Sequence, residues 1–208
     1  MSSLILASQS PRRRDLLEKA GFQFQTLSVE ISENLNENLS LDEALMDLAR
    51  RKSEALIRSG KCPNLGEFIV LSADTVVVLD DQVINKPVDT SDAHAILRRL
   101  SGKTHIVKTA VCLMKVQFPQ ALQGALPPHF TVVETSYVTF SSLTDEQIEK
   151  YVRECKPMDK AGAYGVQDVP SDFLKEIRGH VDNVMGLPVE RVKSLLRESG
   201  WDVGTKQS

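Results

Sequence analysis

The spacing of apolar positions changes along the chain, and each change marks an element. Leu4-Ile5-Leu6-Ala7 is an unbroken apolar run that predicts a short buried strand. Ser10 follows as a candidate N-cap with Pro11 at the first helical position; Leu16, Leu17 and Ala20 supply the apolar face, and Gly21 ends the helix. Phe22–Val29 reads as a second strand, and an acidic, Asn-rich loop runs from Glu30 to Asn38. Leu41, Ala44, Leu45, Leu48, Ala49, Lys52, Ala55 and Leu56 then recur at helical spacing over about five turns.

Phe68–Leu71 and Thr75–Leu79 are strand-like and separated by Ser72-Ala73-Asp74, and Asp80-Asp81 predicts a turn into Gln82–Ile84. Ala93, Ile96, Leu97 and Leu100 mark a helix ending near Gly102. His105–Lys115 and Thr131–Phe140 read as two longer strands, joined by a Pro- and Gln-bearing connection from Gln117 to Pro128 that is expected to be mobile. Thr144 caps a helix over Asp145–Glu154, Phe173–Ile177 is a late strand, and Pro188–Glu198 a terminal amphipathic helix. Alternating strands and helices predict an α/β fold, with a mixed sheet because the long later strands look antiparallel.

Composition narrows this little: 208 residues, 41% hydrophobic and 25% charged, fit one large domain or two small lobes sharing a core. The formal net charge of −3 argues against nucleic-acid polymers as partners, so a polyanionic ligand would need a local basic cluster. Cys62, Cys112 and Cys155 are too few and too scattered for a disulfide framework or a thiolate metal site, and read as buried thiols of a reduced protein. The apolar start is too short for a signal peptide, and no window approaches the roughly 18 apolar residues of a membrane span. The expected location is the cytoplasm, with no membrane partner.

Four features carry chemistry. Ser8-Gln9-Ser10-Pro11-Arg12-Arg13-Arg14 joins a strand to a helix N-terminus, where free backbone N–H groups and guanidinium forks suit phosphate. Three arginines in a first helical turn oppose the helix dipole, a cost that an anionic ligand would offset. Asp74, between two apolar runs, is either a turn residue bonding its own backbone or a carboxylate paired or metal-bound at a strand end. Lys52 on an apolar helix stripe either snorkels or points into an anion site, and Lys86 before Pro87 is its companion candidate. Lys156–Gln167 packs two glycines and two alanines into six residues, which permits close approach, and Gln167 could donate and accept at a base edge. His94, His105, His129 and His180 show no metal-ligand spacing and are assigned no catalytic role; His105 reads as structural or surface.

LILASQSPRRRDLL, the LARRK helix, SADTVVVLDDQVINKP, LRRLSGKTH, KPMDKAGAYGVQ and the final MGLP, taken in order, resemble the Maf family of nucleotide pyrophosphatases. The resemblance covers about Leu4 to Leu196 and implies one domain over 1–208. That domain would be a mixed twisted sheet with two lobes around a cleft, similar to the inosine triphosphate pyrophosphatases. It also implies hydrolysis of a nucleoside triphosphate to monophosphate and pyrophosphate with a divalent metal, Mg²⁺ or Mn²⁺, with Co²⁺ a further candidate. On this resemblance Asp74 is the general base, and Glu33 and Asp74 hold the metal. Ser8, Arg13, Lys52 and Lys86 bind phosphate, with Glu33, Lys52 and Lys86 completing the catalytic set. The AGAYGVQ form resembles the branch acting on dTTP, UTP and modified pyrimidine analogues, where Arg12, Lys52 and Gln167 are associated with base choice.

Asp168–Asp172 departs from the glycine-rich continuation usual in the family, and Ser72 from its usual Gly or Ala. An added carboxylate beside Gln167 keeps 7-methyl-GTP and other modified nucleotides as alternative substrates. A nucleotide-sensing regulator of septum formation is the alternative of another class. A homodimer is compatible with the chain.

Overall fold

The computed structural model describes residues 2–63, 66–118 and 126–204. Strand β1 (Ser3–Ala7) leads into helix α1 (Pro11–Lys19), followed by β2 (Phe24–Leu27), α2 (Leu41–Arg58), β3 (Gly66–Leu79), β4 (Gln82–Ile84) and α3 (Thr90–Leu100). The long strands β5 (Thr104–Phe118) and β6 (His129–Phe140) come next, then α4 (Asp145–Cys155), a 3₁₀ turn at Ala161–Ala163, β7 (Leu174–Arg178), α5 (Val181–Met185) and α6 (Val189–Ser199). The sheet order is β2-β1-β3-β5-β6-β7, with β4 also on β3. The sheet is mixed: β1 is parallel to β2 and β3, whereas the β3–β4 and β6–β7 pairs are antiparallel.

Two compact units arise. The first comprises Met1–Asp74, Thr109–Glu134 and Gly186–Ser208, the second Thr75–Lys108 and Thr135–Met185. In the first, Leu4 and Leu6 of β1 and Ile69, Leu71 and Ala73 of β3 share a core with Leu17 of α1 and Val192, Leu195 and Leu196 of α6. The alternate β3 positions Ser72 and Asp74 face α2, whose Ala49 and Lys52 they meet. Helices on both faces explain why these strands read as continuous apolar runs. The second unit has its own core, in which Val77, Leu79, Val107 and Val138 pack against α3, α4 and the aromatic residues Phe140, Tyr151, Tyr164 and Phe173.

Several expectations need correction. Ser72-Ala73-Asp74 does not interrupt two strands, because β3 runs unbroken through it. Both polar side chains find partners on α2, so the ladder has no reason to stop. Ser10 occupies the N-cap position of α1 without a side-chain cap bond, whereas Ser40 and Thr144 form full capping boxes. The second strand is shorter than Phe22–Val29, and α5 had no periodic signal over its five residues. Among the cysteines only Cys112 is buried; Cys62 and Cys155 are half-exposed. Strand β5 takes in the start of the proposed Gln117–Pro128 connection, and Lys115 N–H donates to Pro128 at its far end. Residues 119–125 of that connection lie outside the described residues. Asp80 and Asp81 form the expected hairpin turn, both left-handed (φ +52° and +61°).

Candidate active site

In the first unit, β1 delivers Ser8, buried, to the start of α1. The Ser8 hydroxyl accepts from the Ser10 N–H (3.1 Å) and, at 3.4 Å, from Arg13 Nη1. Both acceptor positions are thereby used, and its one proton remains to be donated. Arg13 Nε donates to the Gly186 carbonyl at 2.7 Å, which fixes the fork against the turn before α6. Consecutive helical residues point about 100° apart, so the three arginines diverge: Arg14 turns outward to Asp15 and Glu18, and Arg12 is half-buried. Burial lowers the Arg13 pKa, with Arg12 adding to the effect and Asp74 and Glu33 opposing it. An arginine stays protonated regardless, so the physical content is a crowded cation within reach of two carboxylates.

Lys52 projects from α2 three residues after Ala49 and immediately before Ser53. Its Nζ donates to Asp74 Oδ1 at 2.6 Å and to Glu33 Oε1 at 2.7 Å. The Lys52 and Asp74 side chains are only 15% and 14% exposed, against 51% for Glu33. Lys52 therefore does not snorkel to solvent, and Asp74 is not a turn residue. One rung deeper, Ser72 Oγ donates to the Ala49 carbonyl (2.6 Å). Its only proton is committed there, so in the Ser53–Ser72 contact of 2.8 Å Ser53 is the donor. The Cys112 thiol borders this pair; burial pushes its pKa up to about 12, so it is an inert filler.

Glu33 sits in an irregular loop, and Arg51 holds that loop on either side of it. Arg51 Nη1 donates to Ser32 O (3.0 Å), Nη2 to Asn34 O (2.7 Å) and Nε to Asp47 Oδ2 (2.8 Å). Burial works against the charged form of Asp47, but hydrogen bonds from Arg50 and Arg51 prevail and hold its carboxyl below the usual range. The LARRK segment thus commits Arg50 and Arg51 to anchoring and sends only Lys52 across.

The donor set around Lys52 Nζ suits a hard divalent cation, since carboxylate oxygens from Glu33 and Asp74 converge on one point. Among the described residues no group of three or more His, Cys, Asp or Glu side chains could hold a metal. An ion here would take its remaining oxygens from water or a ligand.

Lys86 and Gln167 belong to the second unit. Lys86 is exposed after β4, and the neighbouring Asn85 carbonyl accepts from the Gly162 N–H at 3.3 Å, which ties the Gln167 loop to the Lys86 segment. Gly162 has φ +70°, and a Cβ there would lie 2.9 Å from Val77. At Gly165 a Cβ would come within 2.6 Å of both Gln167 and Asp168. Gln167 Nε2 donates to Asp168 Oδ2 at 2.7 Å, and Lys160 lies 3.7 Å from the same carboxylate. The loop is propped by aromatic residues: the Gly165 N–H donates to Tyr151 Oη, and Tyr164 Oη lies 2.7 Å from His105 Nε2. His105 is 1% exposed, Nδ1 has no partner, and burial lowers its pKa to about 4.

The structure therefore gathers Ser8, Arg13, Glu33, Lys52 and Asp74 in the first unit, with Arg12 beside Arg13, and links the segments of Lys86 and Gln167 in the second. Sequence reasoning missed Arg51, the Gly186 carbonyl and the Ser53–Ser72 pair. The Asp47–Arg51 spacing of four was a visible helical signal; the reach of Arg51 to a distant loop was not.

The family model described as Maf-like protein matches residues 3–199. A dTTP/UTP pyrophosphatase from Bdellovibrio bacteriovorus is 43% identical over 194 residues, covering 93% of this chain and 97% of that protein. One from Geobacillus sp. is 40% identical over 201 residues, covering 97% and 100%. A solved HAM1 protein from Coxiella burnetii is 13% identical with a TM-score of 0.45, covering 95% of this chain and 100% of that one. No helix among the described residues is long and apolar enough to cross a membrane.

Proposed function

The chain belongs to the Maf-like family, and from that premise we propose that it hydrolyses dTTP, UTP and modified pyrimidine analogues to the monophosphate and pyrophosphate. The observation that carries the reading is the Lys52 ammonium joined to both Asp74 and Glu33 beside the crowded guanidinium of Arg13. Cations to bind a triphosphate and a carboxylate to take a proton from water meet in one place. Simple binding of an anion would need only the first.

Asp74 acts as general base. Its Oδ2 accepts a proton from a water whose oxygen bonds to the α-phosphorus, while the bond from that phosphorus to the α–β bridging oxygen breaks and pyrophosphate leaves. Ser8 donates its remaining proton to a phosphate oxygen, and Arg13, Lys52 and Lys86 neutralise charge on the departing group. Glu33 and Asp74 would hold a divalent ion, Mg²⁺, Mn²⁺ or Co²⁺, which supplies charge neutralisation at the phosphates when bound.

Base choice falls to Gln167, Arg12 and Lys52. A carboxylate only accepts, so the Gln167 atom facing Asp168 must be its nitrogen. That leaves Oε1 to accept the N3–H of uracil or thymine, the donor at the centre of an acceptor–donor–acceptor edge.

Pyrophosphate release from dTTP, UTP, CTP and 7-methyl-GTP, each with Mg²⁺, Mn²⁺ or Co²⁺, tests the proposal. Turnover of dTTP and UTP is the expected result. Tight binding without release would replace the enzyme reading with that of a nucleotide-sensing regulator of cell division. Preference for the methylated purine would move the base assignment and implicate Asp168.

A further inference from the structure

Lys52 Nζ occupies the point on which the two candidate metal-holding carboxylates converge, 2.6 Å from Asp74 Oδ1 and 2.7 Å from Glu33 Oε1. An ammonium at that point is itself a cation with oxygen ligands. A divalent ion bridging the same two oxygens, at about 2.0–2.2 Å from each, would need the space that Nζ fills. It would also meet little attraction. Two carboxylates are balanced by Lys52 and by Arg13, whose guanidinium feels both of them, so the resting group has no net negative charge to offer a dication.

We propose that Lys52 is a resident counter-ion that excludes a divalent metal from Glu33 and Asp74 until a nucleoside triphosphate arrives and draws the ammonium onto its phosphates. The proposal rests on the triphosphate reading above. The long, flexible lysine stem can swing between two anionic partners, as the planar fork of an arginine held by Gly186 cannot. Triphosphate oxygens then do two things together: they take the lysine, and they complete a coordination shell that two carboxylates leave unfilled among the described residues. Metal and nucleotide bind with positive coupling, and each raises the affinity for the other by the same factor. Arg51, gripping the backbone on both sides of Glu33, keeps that carboxylate in place during the exchange.

The test measures Mn²⁺ binding by electron paramagnetic resonance and calorimetry, with no turnover required. Without nucleotide, Lys52→Met should bind Mn²⁺ at least about tenfold more tightly than the unaltered protein. Lys52→Arg, which keeps a cation, should stay as weak as the unaltered protein, and Lys52→Met combined with Glu33→Gln should lose the gain. In the unaltered protein, saturating α,β-methylene-dUTP, a non-hydrolysable triphosphate, should strengthen Mn²⁺ binding by about tenfold or more. Equal Mn²⁺ affinity in the unaltered protein and Lys52→Met overturns the proposal, and so does bound analogue that leaves Mn²⁺ affinity unchanged. The two readings fail separately. Absence of pyrophosphate release sinks the catalytic reading while the Lys52→Met comparison still decides this one.

Discussion

The two compact units keep their polar chemistry in opposite ways. In the first, Glu33, Lys52 and Asp74 are charged, partly open to solvent and paired with one another, with Arg13 close by. In the second, His105, Tyr151 and Tyr164 are neutral, sealed among Phe140 and Phe173, and bonded at fixed points. Charges that balance each other near water can change partners at modest cost, whereas a buried neutral hydrogen bond cannot be exchanged without exposing an unsatisfied group. The first arrangement suits a site that must admit and release a polyanion. The second suits a frame that holds the Gln167 loop.

Substitutions that separate activity from stability test this contrast. Asp74→Asn should lower pyrophosphate release on the order of 10³-fold, with nucleotide binding still measurable by calorimetry. An Asp74→Asn protein that still turned over would remove Asp74 from the base role. Arg13→Ala should cost about 10- to 100-fold in kcat/KM for dTTP, whereas Arg14→Ala, whose ion pairs among the described residues are with exposed Asp15 and Glu18, should stay within about twofold. Equal losses would mean that the three arginines act as a diffuse patch.

The second unit should respond in stability. Tyr164→Phe strands His105 Nε2, and urea unfolding should report a loss of about 1–3 kcal/mol with kcat little changed. If kcat fell as far as in Asp74→Asn, the contrast between frame and site would collapse. His105 also predicts a pH dependence. Its pKa is about 4 folded against 6.5 for the free side chain, so the unfolded chain takes up a proton first as pH falls. The contribution is complete above 6.5 and is lost on descending toward 4. Between pH 7 and pH 5 it amounts to roughly 2 kcal/mol, and a His105→Asn variant should lack that slope. Smallest of all, Arg51→Leu should raise KM for the nucleotide about threefold through a loosened Glu33 loop, with kcat less affected; an unchanged KM would reduce Arg51 to a surface anchor.

Elements with strong periodicity were legible in the sequence to within a few residues, α2 and the long strands most clearly. The continuity of β3 was not, because Ser72 and Asp74 look like a break until their partners on α2 are known. The same logic applies to the site. Lys52 stood out as a cation on an apolar stripe, and Arg12–Arg14 as cations at the wrong end of a helix, so both anomalies were visible one residue at a time. Which arginine turns inward depends on a carbonyl 173 residues away, and the loop-holding of Arg51 on backbone 17 and 19 residues away. A cap contact to nearby main chain, such as that of Thr144, has a local side-chain signature; a contact to main chain far away in the sequence has none, so sequence patterns are blind to it.

The boundaries of the two units fall at Asp74/Thr75, Lys108/Thr109, Glu134/Thr135 and Met185/Gly186, three of them inside β3, β5 and β6. The chain therefore passes between the units four times, and Asp74 is the last residue before the first passage. Neither unit corresponds to one continuous stretch of gene. The segments bearing Lys86 and Gln167 belong to two separate insertions, 75–108 and 135–185, in the chain that forms the first unit. The residues proposed for base choice are themselves divided, Gln167 in the second insertion and Arg12 and Lys52 in the first unit, so exchanging either insertion with a relative would carry over only part of them. On the proposed assignment base preference is not a detachable cassette, and altering it calls for substitutions in both units.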